Sequence, residues 1–195
     1  MAAPTKLNFK IYQGSTFTET LRWESDLKVY VPITNITKTA PMVVTATNHG
    51  IPINWRTNIS NVVGMKEANT TDYINATAVT SNTVTFNSIN AVNYSTYTAG
   101  SGILSYNQPV SLSGYSARMQ IREKITSDTF ILELTTDNEF IVLDDINKII
   151  TINIPAIYTA LFDFKTAIYS LELTTGTVVE PFIYGSISLE PDITR

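Results

Sequence analysis

Ala117-Arg118-Met119-Gln120-Ile121-Arg122 alternates strictly between apolar and polar side chains. Successive side chains of a strand point to opposite faces, so this stretch offers one face to a core and one to solvent, and no helical period fits it. The same alternation recurs on either side. Leu7, Phe9 and Ile11 are separated by Asn8 and Lys10, and Phe17, Leu21 and Trp23 follow the turn residues Gln13-Gly14-Ser15. Downstream come Phe130, Leu132 and Leu134, then Ile150, Ile152 and Ile154, then Tyr169, Leu171 and Leu173. A last run from Phe182 to Leu189 has Ile183, Gly185, Ile187 and Leu189 on one side. About seven strands, broken by Gly and Asp-Asn turns at roughly 8–12 residue spacing, predict an all-β sandwich. Pro155 suits a first helical position, so Ala156–Leu161 is expected to form one short helix connecting two strands.

The chain has 195 residues, of which 44% are hydrophobic and 15% charged, with a net charge of −4, one histidine and no cysteine. Thiol redox chemistry, iron–sulfur clusters and zinc sites built on cysteine or histidine pairs are excluded, because each needs several such ligands together. No basic excess or run attracts a phosphate backbone, so no nucleic-acid partner is expected. No apolar stretch approaches the ~20 residues of a membrane span, and Met1–Lys6 lacks the apolar core of a secretory signal, so no membrane association is expected. The surface is furnished by 29 Thr and 16 Asn. Threonine is β-branched and suits a pleated surface, which again favours strands.

A shift in composition divides the chain. Between Pro41 and Tyr106 only Arg56, Lys66, Glu67 and Asp72 are charged. Short apolar runs, Met42-Val43-Val44, Val62-Val63 and Thr83-Val84-Thr85-Phe86, together with large aromatics, mark a folded β unit rather than a linker. The expected organisation is a discontinuous sandwich over 1–40 and 107–195, with an inserted small β-barrel over 41–106. Such insertions are tolerated at exposed loop tips because closing a longer loop costs only ~0.6 kcal/mol per doubling.

Two stretches carry family resemblances. Tyr12-Gln13-Gly14-Ser15-Thr16-Phe17, the run from Val110 through Leu112, Gly114 and Tyr115 to Arg122, Tyr169–Leu173, and the closing Gly185–Arg195 resemble, in order, a family of tailed-phage virion proteins. That family has an immunoglobulin-like β-sandwich similar to the N-terminal domain of upper baseplate proteins in lactococcal phages. The middle, through Thr45–Gly50, Val63–Asn69, Asn82–Phe86 and Tyr97–Gly102, is similar to the FCCH-like β-barrel module that phage structural proteins share with ubiquitin-activating enzymes. It departs from that module at Pro52-Ile53-Asn54-Trp55, where a Gly-Asp turn is usual. The resemblance implies a fold and a virion setting, not ubiquitin chemistry.

Catalytic constellations are sparse. His49 has no nucleophile-elbow motif near any Ser, and it reads as a turn residue with Gly50 rather than a general base. Asp137, Glu139, Asp144 and Asp145 flank the strand Phe140–Leu143. Two of them could serve glycoside hydrolysis, and the last two a calcium ion, but their Asn-rich surroundings read as hairpin turns. Gly100-Ser101-Gly102 lacks the lysine and helix of a phosphate loop. The aromatics of the middle segment, Trp55, Tyr73, Tyr94, Tyr97 and Tyr106, are the candidate contact surface, with core packing the competing reading.

The expected function is non-enzymatic and without cofactor or metal. It is that of a structural protein of the bacteriophage virion, made in the host cytoplasm, acting as an assembly component of the tail, neck or baseplate. Its partners are other virion proteins and further copies of itself, as a homo-oligomer. The alternatives are a capsid decoration protein, or a tail protein that binds glycan through the insert.

Overall fold

The computed structural model describes residues 4–192, and its regular structure is strand apart from one short helix and one 3-10 turn. The chain forms two compact units. The first combines the residues up to Trp23 with those from Ser111 onward, and the second is the continuous segment Glu24–Val110.

Strands β1 (Thr5–Lys6), β2 (Phe9–Tyr12) and β3 (Phe17–Leu21) begin the first unit. The second unit contributes β4 (Glu24–Pro32), β5 (Asn35–Ile36), β6 (Met42–Thr45), β7 (Arg56–Ser60), β8 (Ile74–Asn75), β9 (Ala78–Val79), β10 (Thr83–Phe86) and β11 (Ile103–Pro109). The first unit resumes with β12 (Ser116–Arg122), β13 (Leu132–Thr135), β14 (Ile141–Asp144) and β15 (Ile149–Ile154). Helix α1 (Ala156–Thr159), β16 (Thr166–Thr175) and β17 (Val178–Glu190) follow.

In the first unit one sheet runs β1-β17-β16-β12-β13, with β2 also paired to β17, and a second runs β14-β15-β3. Both sheets contribute to one core, which is the arrangement of a β-sandwich. The alternation in β12 is realised as expected: Ala117, Met119 and Ile121 are buried, and Met119 lies opposite Leu171 on β16 and Leu134 on β13. Ile150, Ile152 and Ile154 of β15 supply the other sheet's share of the core.

The first strand is less regular than its sequence. The run Leu7–Ile11 reads as one strand, but β1 and β2 are separate segments, both parallel to β17. At the break, the Leu7 N–H donates to the Tyr184 carbonyl at 2.9 Å. The Asn8 side-chain oxygen accepts from the Ser186 N–H and hydroxyl, each at 3.1 Å. Gly185 makes this crossing possible, since a Cβ there would stand 1.8 Å from the Leu7 carbonyl oxygen.

The second unit has two four-stranded sheets, β5-β6-β10-β9 and β4-β11-β7-β8, around its own core. Val44 faces Val84, and Met42 faces Phe86, across the β6–β10 ladder, and all four are buried. Threonine and asparagine side chains replace backbone partners in its loops. The Asn69 side chain accepts from the Val62 N–H and donates to the Val62 carbonyl, while the Thr80 hydroxyl accepts from the N–H groups of Asn82 and Thr83.

Several expectations shift. The division falls at Glu24 and Val110 rather than at 41 and 106, because β4 pairs with β11, and β5 with β6. Charge density tracks exposure to water, not hydrogen-bond partnership, so it could not mark this boundary. Val62-Val63 forms no strand; the Asn69 side chain holds Val62 in a loop. Phe130 precedes β13 and is half exposed. The final Ile193-Thr194-Arg195 of the closing motif lies outside the described residues.

Candidate functional site

The five aromatics separate sharply. Trp55 is 0% exposed, and its indole Nε1–H donates to the Asn107 carbonyl at 2.9 Å. Tyr106 is also buried, its hydroxyl donating to the His49 carbonyl. The Tyr97 hydroxyl lies between the carbonyls of Ile33 (2.9 Å) and Ser101 (2.6 Å), and both Tyr94 and Tyr97 pack against the core. Trp55 and Tyr106 are therefore core rather than contact surface, since a small two-sheet unit draws on its large side chains to fill its interior, while Tyr94 and Tyr97 are half-buried against it. Of the five, Tyr73 is the most exposed, at 39%. Its ring has the Arg56 guanidinium 5.1 Å away and the Lys28 ammonium 5.7 Å away. Arg56 in turn binds a single carboxylate oxygen of Glu24 through Nε (2.7 Å) and a terminal nitrogen (2.6 Å). Hydrogen bonding with Tyr73 is the main cause that raises the pKa of Lys28 above its ordinary value.

His49 is buried and locally engaged. Its Nδ1 accepts the Ile51 N–H at 3.0 Å, so the proton sits on Nε2, which faces the Thr83 carbonyl at 3.2 Å. Burial lowers its pKa, against the pull of the Thr83 carbonyl. The acidic residues hold turns. Asp144 accepts from the N–H groups of Ile146 and Asn147. Asp145 accepts from the Lys148 ammonium (2.6 Å), the Leu112 N–H (2.6 Å) and the Ser111 hydroxyl (3.0 Å). With Lys148 the main cause and the Leu112 amide next, its pKa falls to about 2. No group of three or more His, Asp or Glu side chains among the described residues is placed to hold a metal ion.

A surface feature of the first unit was not anticipated. The outer face of the six-stranded sheet carries a groove of about 530 Å³. The register explains it. One rank of side chains across β1, β17, β16 and β12 is Lys6, Tyr184, Ser170 and Gln120; the next is Ser186, Ile168 and Arg122. Small Ser170 and Ser186 leave the floor low between taller neighbours, and Ile125, in the loop after β12, stands beside it at 87% exposure. Adjacent strands lie ~4.8 Å apart and the two cations stand in neighbouring ranks, so the backbones of Lys6 and Arg122 flank the groove at roughly 16 Å, three strand spacings across and two residues along. Arg122 is held in place by Gln120, whose carbonyl oxygen accepts from Nε (3.2 Å) and from a terminal nitrogen (2.8 Å), and by the Ser127 carbonyl. Neither Lys6 nor Arg122 has a carboxylate within ion-pair reach among the described residues.

Chemically, this surface can hold an anion by charge-assisted hydrogen bonds while covering apolar groups against Ile125, Ile168 and Tyr184. The alternation in β12 signalled that Gln120 and Arg122 face outward, but not which strands would lie beside them. No family model matches the chain, and no curated protein matches it.

Proposed function

We propose that this chain is a non-enzymatic structural protein of a tailed-phage virion, acting in the tail, neck or baseplate through repeated protein–protein interfaces. On this reading the first unit is the immunoglobulin-like sandwich and the second the FCCH-like module. The observation that carries the assembly role is the outer sheet face with its groove, bounded by Lys6 and Arg122 and flanked by exposed Ile125. An apolar surface with cations at its rim has the make-up of a protein contact. The phage setting rests on the sequence resemblance. Immunogold labelling and mass spectrometry of purified particles of the encoding phage test it. Label on the tail supports the reading, label on the head transfers the chain to capsid decoration, and absence from particles overturns both.

Tyr73 supports a second reading. Exposed beside Arg56 and Lys28, its ring is available to a sugar, and an acidic glycan suits the two cations. Binding on a glycan array that disappears in Tyr73→Ala would favour this reading.

A further inference from the structure

We propose that the first unit associates with a second copy of the chain, the Asp137–Glu139 turn of one copy seating in the Lys6–Arg122 groove of the other. This rests on the assembly reading above and names its contact.

The two surfaces are complementary in charge. Among the described residues the groove is lined by two cations and no carboxylate. The turn between β13 and β14 presents two exposed carboxylates, Asp137 and Glu139, and neither makes an ion pair among the described residues. Their backbone is firmly held. The Asn138 side-chain oxygen accepts from the N–H groups of Thr135 (2.9 Å) and Phe140 (3.2 Å), and the Asn138 N–H donates to the Thr135 hydroxyl at 3.0 Å. Glu139 has a φ of 63°, an uncommon left-handed conformation for a residue with a side chain. The turn is thus a rigid projection, and little ordering entropy remains to be lost on docking. A groove of about 530 Å³ lies within the ~300–1,000 Å³ of ordinary binding clefts and has room for both side chains.

Position decides the geometry. The Thr136 N–H donates to the Ala117 carbonyl at 3.1 Å, which fixes the turn beside the start of β12. Arg122 lies at the other end of the same strand, about 17 Å away at ~3.3 Å per residue. One copy cannot fill its own groove, so the contact is made between copies. Two antiparallel copies across a two-fold axis make it twice in a closed dimer, and a one-way repeat of it builds a ring or filament.

Sedimentation velocity over a dilution series, at low and at raised salt, tests the contact with charge reversals in the full chain. Wild type is expected to self-associate, and to do so less as salt rises. Lys6→Glu with Arg122→Glu, or Asp137→Lys with Glu139→Lys, should each weaken self-association by about tenfold or more. An equimolar mixture of the two variants should restore it, because each reversed groove then meets a reversed turn. Lys6→Glu alone, at an exposed position, gives a smaller loss without touching the hydrogen bonds of Arg122, and circular dichroism checks that every variant folds. A wild type that stays monomeric throughout, reversals that associate like wild type, or a mixture that fails to recover overturns the proposal. Detection in particles together with failed recovery would overturn this contact and leave the virion reading standing; recovery with absence from particles would do the reverse.

Discussion

The Tyr169 hydroxyl donates to the main-chain carbonyl of Leu7 at 2.8 Å, across 162 residues of sequence. That carbonyl belongs to the break between β1 and β2, and it is the same oxygen that leaves no room for a side chain at Gly185. Leu7 therefore ties the first strand to both neighbours, its carbonyl to β16 and its N–H to the Tyr184 carbonyl of β17, with the Tyr169 ring stacked on Phe9 at 4.8 Å. Burial raises the phenol pKa well above its ordinary value, which keeps the hydroxyl a donor throughout the physiological range.

Tyr169→Phe removes the donor and leaves the carbonyl without this partner, so a loss of about 1–3 kcal/mol is expected. Gly185→Ala forces a methyl against main chain rather than against a movable side chain. It should cost at least as much as the ~1–3 kcal/mol of ordinary overpacking. Urea unfolding followed by tryptophan fluorescence measures both. Equal stability of Gly185→Ala and wild type would show that β1 and β2 do not need this crossing.

Trp55→Ala and Tyr73→Ala should diverge. Truncating a fully buried tryptophan is expected to lower stability by about 3–5 kcal/mol. Tyr73 is partly exposed, and Arg56 keeps its ion pair with Glu24 when the ring is removed, so truncation should change stability by only about 0.5–1 kcal/mol. Thermal melts of the two variants are the check, and a destabilised Tyr73→Ala would mark that ring as structural.

His49 makes the second unit sensitive to mild acid. Its folded pKa lies below the ordinary 6.5, so the unfolded chain binds the proton more readily. The stability it contributes is complete above pH 6.5 and is lost progressively as pH falls from there toward the lowered folded value. Protonating Nδ1 would also set an N–H against the Ile51 N–H it now accepts from. His49→Asn keeps an acceptor two residues before Ile51 and removes the titration, so its stability should vary less across this window. Denaturant midpoints measured at pH steps on either side of 6.5 decide it.

Asp145 acts in a lower range. With its pKa reduced from 3.8 to about 2, its contribution is complete above pH 3.8 and is lost as pH falls toward 2. Asp145→Asn should be less stable than wild type at neutral pH, and the difference should shrink toward pH 2. A constant difference across the acid range would show that its hydrogen bonds, not its charge, secure Ser111 and Leu112.

Several features were legible in the sequence because they are local. Alternation along β12, β15 and β16 fixed which side chains enter the core, since the side-chain direction of a strand has a period of two residues regardless of its partners. The Asp-Asn text around Phe140–Leu143 declared turns through the short-range bonds that Asn138 and Asp144 make. The threonine and asparagine excess identified β structure, although many of these side chains stabilise loops from within. Other features depend on residues far apart. That β4 joins β11, that β17 takes β1 and β2 in parallel, and that Trp55 fills a core while Tyr73 does not, follow from competition among distant segments for the same interior. The groove arises in the same way. Lys6 and Arg122 are separated by 115 residues of chain, and only strand order and register set them at the two sides of one cleft. The sequence by itself determined the strands whose alternation is local, β12, β15 and β16, and their faces; the tertiary structure decided where other strands break and which outward faces became neighbours.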